Sequence, residues 1–476
     1  MGAAPDPRRL KPAPEHTARR YAERLLHDAG FSDAAAAIEL DAEHPAAAAA
    51  RCGLMMLTGE PGGEAELCPA PIAACADGAL AALAAIAPPG ALRGLRGSQL
   101  LTERAAITGH ARNGAVSANG SCRLLRASDG CIALNLPRDD DWSLLDAWLE
   151  AEVRAGWEGL AEQLTALDVE SLIDRGRMLG LAVANAVPSP NCGRGSRAAG
   201  GEGDVEPLSR PFGPPSPTRG RGDSRRPLVV DLSSLWAGPL CTHLLQRCGA
   251  DVIKIESRHR PDGARAGAAA FFDLLNAGKR SVVLDFASAE GRAQLLALLQ
   301  HADIVVEASR PRALRQLGID AAALVAADPR KTWISLTGHG RAEPQAQWIA
   351  YGDDAGVAGG LSALLHAATG RWLFCGDAIA DPLAGLHAAF AAWAGWRRGG
   401  GGLVDLSLVG VVRRVAAFEC SNAPHARWRQ WRRQLIESRQ RVLAPQSRTA
   451  TVRAAALGAD TDAVLAELHI AGAVAC

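Results

Sequence analysis

Apolar side chains recur along this chain with two different periods, and the change of period divides it. From Glu15 to Gly30 they fall three and four residues apart and stop at a glycine, which predicts an amphipathic helix. Residues 36–90 read as alanine-rich helical segments. Residues 122–136, CRLLRASDGCIALNL, alternate instead and turn at Ser128-Asp129-Gly130, predicting two short strands joined as a hairpin. Asp140–Glu152 returns to helical spacing, with Trp142, Leu145, Trp148 and Leu149 on one face.

Beyond residue 228 the texture changes. LVVDL (228–232), DVIKIE (251–256), RSVVL (280–284), Asp303–Val306 and TWISLT (332–337) are short apolar runs. Helical stretches at Pro239–Cys248, Ser288–His301 and 311–327 separate them. Strands that are apolar on both faces and alternate with helices imply βαβ units in a parallel sheet. The expected class is α/β: a Rossmann-like parallel sheet covered by helices, plus a smaller α+β domain. Ligands of such sheets sit beyond the carboxyl ends of the strands. Between the two textures, residues 189–227 are rich in Gly, Pro, Arg and Ser and nearly free of aliphatic side chains. Such a segment buries too little apolar area to offset its ordering entropy and predicts a disordered linker. The expected division is 1–188, 189–227 and 228–476.

Composition narrows the classes of function. A length of 476 residues argues for two or three domains. Basic and acidic residues number 51 each, so no bulk field draws the chain to nucleic acid or an anionic membrane. Residues 1–14 are polar and proline-rich, unlike a signal peptide, and the apolar stretch Ala79–Ala87 is too short to span a bilayer. The 11 cysteines are scattered without a CxxC pair and read as reduced buried thiols of a cytoplasmic protein, with no metal site. ARWRQWRRQLIESRQR (426–441) interleaves aromatics with cations, as single-strand binders do. As a helix it puts Trp428, Trp431 and Leu435 on one side, which predicts an amphipathic helix packed on its own chain or a partner and not a nucleic-acid surface.

The first strand–helix junction, residues 231–239, lacks GxGxxG, and no Walker A sequence occurs. Gly399–Gly402 follows a helix and precedes LVDLSL, so it reads as a flexible connection and not a phosphate cradle. VVDLSSLWAGPLCTHLLQRCGADVIKIE (229–256) resembles the opening block of the family III CoA-transferases, the group of formyl-CoA and carnitine-CoA transferases and acyl-CoA racemases. NAGKRSVVLDF (276–286), ADIVVEASRP (302–311), RALRQLGID (312–320), ISLTGHG (334–340), CGDAIADPLAGLHAAFAA (375–392) and LVDLSL (403–408) continue the resemblance in order. LGADTDAVLAEL (457–468) is similar to the closing segment. SCRLLRASDGCIALNLPRDDDW (121–142) is similar to the family's small-domain hairpin, although here it precedes the core. Residues 1–188 therefore read as a rearranged small domain, with a degenerate second module as the alternative.

The resemblance implies transfer of coenzyme A between two carboxylic acids. A carboxylate nucleophile attacks a thioester, and a mixed anhydride and then an enzyme thioester follow. It implies an acyl-CoA thioester as co-substrate, a carboxylic acid acceptor, no permanently bound cofactor, and a homodimer. Asp381 matches the family nucleophile by its spacing to Gly385, with Asp377 as the rival; Asp381-Pro382 also reads as an ordinary helix start. Trp236, Ala237, Leu284, Ala308 and Ser309 match positions that contact coenzyme A, and Arg258, Arg312 and Arg315 supply cations for its phosphates. Three positions depart from the family: Ser257 stands where an Arg is frequent, Ala287 where some members have Lys, and Ala308-Ser309 replaces Asn-Phe. The missing Arg at 257, the changed pair at 308–309 and the shortened loop at 399–402 favour the alternative of a non-catalytic acyl-CoA-binding or scaffolding paralogue. A racemase would need a His in AYGDDAGVAGG (350–360), which has none, and His339 reads as a loop cap.

Overall fold

The order of elements follows the two periods of the sequence. In the computed structural model, residues 16–153, 156–186 and 226–470 are described; the predicted linker lies almost wholly outside them. The chain opens with helices α1 (Thr17–Asp28), α2 (Pro45–Arg51), α3 (Ile72–Ile86) and α4 (Glu103–Thr108). Strands β1 (Cys122–Arg126), β2 (Cys131–Asn135) and β3 (Ala182–Asn185) form a small antiparallel sheet in that order. The hairpin turns where Asp129-Gly130 predicts it; β3 is an addition that carries no turn signal. The helix expected over Asp140–Glu152 breaks into Asp139–Trp142 and Leu145–Leu149, yet Leu145, Trp148 and Leu149 are buried as its spacing requires.

Strands β4 (Leu228–Leu232), β5 (Asp251–Ser257), β6 (Arg280–Leu284), β7 (Ile304–Glu307), β8 (Thr332–Thr337) and β9 (Gly402–Ser407) form one parallel sheet ordered β6-β5-β4-β7-β8-β9. Val230 pairs with Ile253 on one side and Val305 on the other. All residues of β7 and β8 are buried, as strands covered on both faces require. Helices α5 (Ala237–Arg247), α6 (Gly352–Ala358), α7 (Ala380–Arg397) and α8 (Pro424–Glu437) complete the elements that matter for the site. The expected α/β architecture, a helix-covered parallel sheet with a smaller sheet beside it, is present. Trp431 and Leu435 of α8 are buried and Trp428 Nε1 donates to Glu66 Oε1 at 2.9 Å, so this helix packs on its own chain. Among the described residues, no helix is long and apolar enough to cross a membrane. Among the described residues, eight cysteines are free and buried.

One apolar core runs through the sheet's helical face and the first helices. It joins Tyr21 and Leu25 of α1 and Leu83 of α3 to Leu240 of α5 and Leu383 of α7. Helix α7 enters β9, which pairs parallel with β8, so α7 runs from the carboxyl edge of the sheet to its amino edge. Gly395, near its end, accordingly lies against Thr332 at the start of β8. The N-terminus of α7 therefore sits at the carboxyl edge, beside the N-terminus of α5.

Two buried lysines fix that edge. Lys279 Nζ reaches Asp231 Oδ2 at 3.1 Å, Thr242 Oγ1 at 2.7 Å and the Pro239 carbonyl at 3.0 Å, tying β4 to α5. Lys254 Nζ pairs with Asp262 Oδ2 at 2.9 Å, and Asp262 accepts the Leu235 N–H at 3.0 Å, which holds the turn before Trp236. Removing one partner of a buried pair strands the other charge, at a cost of about 3–5 kcal/mol. Lys279→Met is expected to lower the unfolding free energy by about that amount in urea denaturation. The Lys279→Met/Asp231→Asn double variant, which strands no charge, should recover part of the loss.

Candidate functional site

Four carboxylates converge at the start of α7, and three of them are committed to partners. Asp377 is fully buried just before the helix. Arg104 Nε of α4 donates to Asp377 Oδ2 at 2.8 Å, its terminal nitrogen forms an ion pair with Oδ1, and His110 Nδ1 lies 3.2 Å from Oδ2. Burial opposes the charge, but these hydrogen bonds hold Asp377 down to about 2. Asp353 of α6 accepts the Ala378 N–H at 2.9 Å; burial first, and then the Asp377 charge, push it up to about 6. Asp354 accepts from Asn135 Nδ2 of the small sheet at 2.9 Å and from the Tyr351 N–H at 3.0 Å; burial pushes it up to about 7.

Asp381 differs from the other three. It sits in the first turn of the 18-residue helix α7, where the helix dipole favours negative charge. Among the described residues no donor is recorded on its carboxylate, and the residue is only half-buried. Burial pushes it up to about 7; the charges of Asp353, Asp354 and Asp377 add to the rise, and Arg104 opposes it. Gly352, the first residue of α6, permits this approach: a Cβ there would stand 2.5 Å from Asp381 Oδ2 and 2.5 Å from the Ala378 carbonyl oxygen. The turn between Asp377 and Asp381 is tight enough to hold Ala378 at φ 42°.

Of the residues singled out in the sequence, Trp236, Ala237 and Asp381 come together. The Trp236 ring lies under the Arg104 guanidinium, 5.0 Å away, and edge-on to Phe271 at 5.3 Å. Ala237 opens α5 one helix away from Asp381, across the contact of Gly385 with the Ala237 carbonyl. Leu284 is buried in the core below the edge, so its side chain lines no open surface. Ser309 is already engaged: its N–H and hydroxyl both reach Glu307 Oε2, at 3.0 and 2.9 Å. Ala308, Arg258, Arg312 and Arg315 are exposed just past the ends of β5 and β7. His339 meets Trp348 edge-on at 5.4 Å and is no part of the carboxylate cluster.

Several residues of the site escape a reading of the sequence. Arg310 is held below the usual guanidinium range by burial and then by the repulsion of Arg312, Arg138 and Arg260. Tyr351 links the two clusters, since Arg138, Arg260 and Asp354 all act on it. The consecutive Asp353-Asp354 in an alanine-rich stretch was a usable signal. Arg104, His110, Asn135 and Arg138 had none, because each comes from the first part of the chain. The whole arrangement places one open carboxylate near neutrality at a helix N-terminus, with a cationic surface beside it. It can present a nucleophile or exchange a proton next to an anionic ligand.

Residues 227–469, about half of the chain, match the sequence profile of CoA-transferase family III. The succinate–glutarate CoA-transferase of Agrobacterium fabrum is 30% identical over 211 residues, 41% of this chain and 53% of that protein. An acyl-CoA transferase of Fusarium pseudograminearum is 34% identical over 199 residues, 38% of this chain and 44% of its own. The succinyl-CoA–D-citramalate CoA-transferase of Chloroflexus aurantiacus is 30% identical over 207 residues, 41% of this chain and 51% of its own. The chain thus spans about half the length of the curated relatives it matches.

A carboxyl raised from an ordinary 3.8 to about 7 by folding gives up stability as pH climbs through that window, because the unfolded chain ionises first. An amide escapes this cost. Asp381→Asn is therefore expected to raise the melting temperature more at pH 8 than at pH 5, in thermal denaturation followed by circular dichroism. An equal shift at both values would place the Asp381 carboxyl in ordinary solvent.

Proposed function

Because the chain belongs to CoA-transferase family III, we propose that it moves coenzyme A between two carboxylic acids with Asp381 as the nucleophile. The observation that carries this reading is the contrast within the cluster. Asp377, Asp353 and Asp354 are hydrogen-bonded in place, whereas Asp381, at a helix N-terminus, has no hydrogen-bond donor on its carboxylate among the described residues. An oxygen of Asp381 attacks the thioester carbonyl, the C–S bond breaks, and the coenzyme A thiolate leaves. The product is a mixed anhydride of Asp381 and the acyl group. The thiolate then attacks the Asp381 carbonyl, the donor acid departs as a carboxylate, and an aspartyl thioester remains. The acceptor carboxylate repeats the two steps in reverse and takes the coenzyme A away.

The arginines past the strand ends supply the anion-binding surface that the pyrophosphate and ribose phosphate of coenzyme A require. In this reading Arg310, Arg312, Arg260 and Arg138 share that role, and Arg258 and Arg315 lie at its margin. Trp236 and Ala237 floor the route to Asp381. A cytoplasmic setting and a homodimer belong to the same proposal, the first resting on the scattered cysteines and the second on the resemblance.

Incubation with acetyl-CoA and succinyl-CoA, followed by peptide mass mapping, is expected to find a hydroxylamine-sensitive adduct on Asp381. The Asp381→Asn variant should form none. No adduct with any thioester would favour an acyl-CoA-binding scaffold. Only the ionised carboxylate attacks, so the rate of adduct formation should rise with pH through about 7 and level off above it. Gly352→Ala pushes a methyl group against the nucleophile and should slow the adduct by roughly a hundredfold. Arg310→Ala should raise KM for the thioester and leave kcat nearly unchanged, as loss of uniform binding does.

A further inference from the structure

The helices before the small sheet and those flanking the parallel sheet are one unit present twice. Residues 44–86 lie against residues 351–393 without a gap. Many of the matches are alanine to alanine and mean little in so alanine-rich a chain, but Gly53/Gly360, Leu54/Leu361, Cys68/Cys375, Ile72/Ile379 and Gly78/Gly385 are also identical. The structure repeats with them. Helix α2 (Pro45–Arg51) corresponds end to end with α6 (Gly352–Ala358), and Gly53 and Gly360 both take left-handed backbone, at φ 87° and 98°. The helix packed on each copy corresponds as well. A Cβ on Gly78 would meet the Ala18 carbonyl and, at 3.1 Å, the Tyr21 Cβ of α1. A Cβ on Gly385 would meet the Ala237 carbonyl and, at 3.1 Å, the Leu240 Cβ of α5. The pairs α1–α3 and α5–α7 close on the same glycine, against the same two positions of the facing helix.

The carboxylates do not repeat. Opposite Asp353, Asp354, Asp377 and Asp381 stand Ala46, Ala47, Ala70 and Ala74. Burying four carboxylates is costly and burying four alanines is not, so a copy without a chemical task loses them without penalty to the fold. What the first copy still offers the cluster is a cation. Arg104, in the helix that follows α3, spans from the Trp236 ring to both oxygens of Asp377, and its charge acts on Asp381. The charged groups facing Asp381 are thus Arg104 from α4, Asp353 and Asp354 from α6, and Asp377 from the turn before α7, with His110 bonded to Asp377.

We infer that the chain holds one retained and one emptied copy of the same site, and that Arg104, from the helix that follows the emptied copy, is a positioning residue that clamps the 377–381 turn beside Asp381. The inference rests on Asp381 as the nucleophile, and the experiment separates the two. Wild type, Arg104→Ala, Arg104→Gln and Arg104→Lys are compared by two readouts. The first is the rate and location of the acyl adduct formed from acetyl-CoA or succinyl-CoA. The second is the pH dependence of carbodiimide modification of Asp381, which reports its ionisation without any thioester.

All adduct in the wild type should map to Asp381 and none to residues 44–86. Arg104→Ala should slow its formation by at least about tenfold and move the ionisation midpoint of Asp381 upward. Arg104→Lys should restore the midpoint and part of the rate. If Arg104→Ala does not fold, the Gln and Lys variants give the same comparison. An adduct within residues 44–86 overturns the inference. So does a neutral variant with unchanged rate and midpoint, or with a reduced rate and an unchanged midpoint, which a merely structural Arg104 would give. A wild type that forms no adduct overturns the nucleophile and the single-site claim, and the carbodiimide midpoint still decides the role of Arg104.

Discussion

A guanidinium and a carboxylate, both removed from water and far apart in sequence, hold the centre of this molecule together. Arg104 and Asp377 are separated by 273 positions, and neither charge is tolerable there without the other. Arg104 can neutralise Asp377 only if the helices before the small sheet dock against those that flank the large one. The pair also sets the local field. With Asp377 held ionised, its negative charge lifts Asp353 and Asp381, and the Arg104 cation limits the rise. Take away the pair and both the geometry of the turn and the ionisation of its carboxylates change together.

The rest of the carboxyl edge follows from similar economies of charge. The network of Lys279 and Asp231 and that of Lys254 and Asp262 each combine an ion pair with a hydrogen bond to a backbone carbonyl. They pin the turn from β4 into α5 and so fix the height of Trp236. Asp381 is the exception at this edge. A half-buried carboxyl raised to about 7 and lacking a donor among the described residues is a local cost in stability, and such costs concentrate where chemistry needs them. Where the first copy has no such need, alanine occupies the position.

The sheet was legible because its strands are short, apolar on both faces, and separated by helices of ordinary length. The hairpin was legible from alternation around Asp-Gly. The third small strand was not, since Ala182–Asn185 carries no period of its own and is extended only because β2 offers an edge. The site divides the same way. Asp381 was singled out by its spacing to Gly385, a local feature. Arg104, His110, Asn135 and Arg138 were invisible, because their partners lie in the other part of the chain and no local pattern records such a pairing. Leu284 and Ser309 match contact positions of the resembled family by their places along the strands; in the structure the Leu284 side chain lies in the core and the Ser309 hydroxyl on Glu307.

Helix α7 explains why an emptied copy persists at all. Fifteen of its residues, from Ala380 through Gly395, are buried, Asp381 being the one in that span that is not fully so. A helix apolar on every side needs cover on every side. Helix α5 covers one face through Gly385, and the sheet covers another through Gly395 and Thr332. The remaining face belongs to the first copy: the Trp393 indole and the Arg397 guanidinium both donate to the carbonyl of Ile86, and the Tyr21 hydroxyl meets His387 Nε2 at 2.7 Å. Removing the first copy would expose that face and leave Asp377 without its cation. The first unit is thus held in place by the helix whose first turn carries Asp381, and alanines in place of its own carboxylates let it serve as apolar cover.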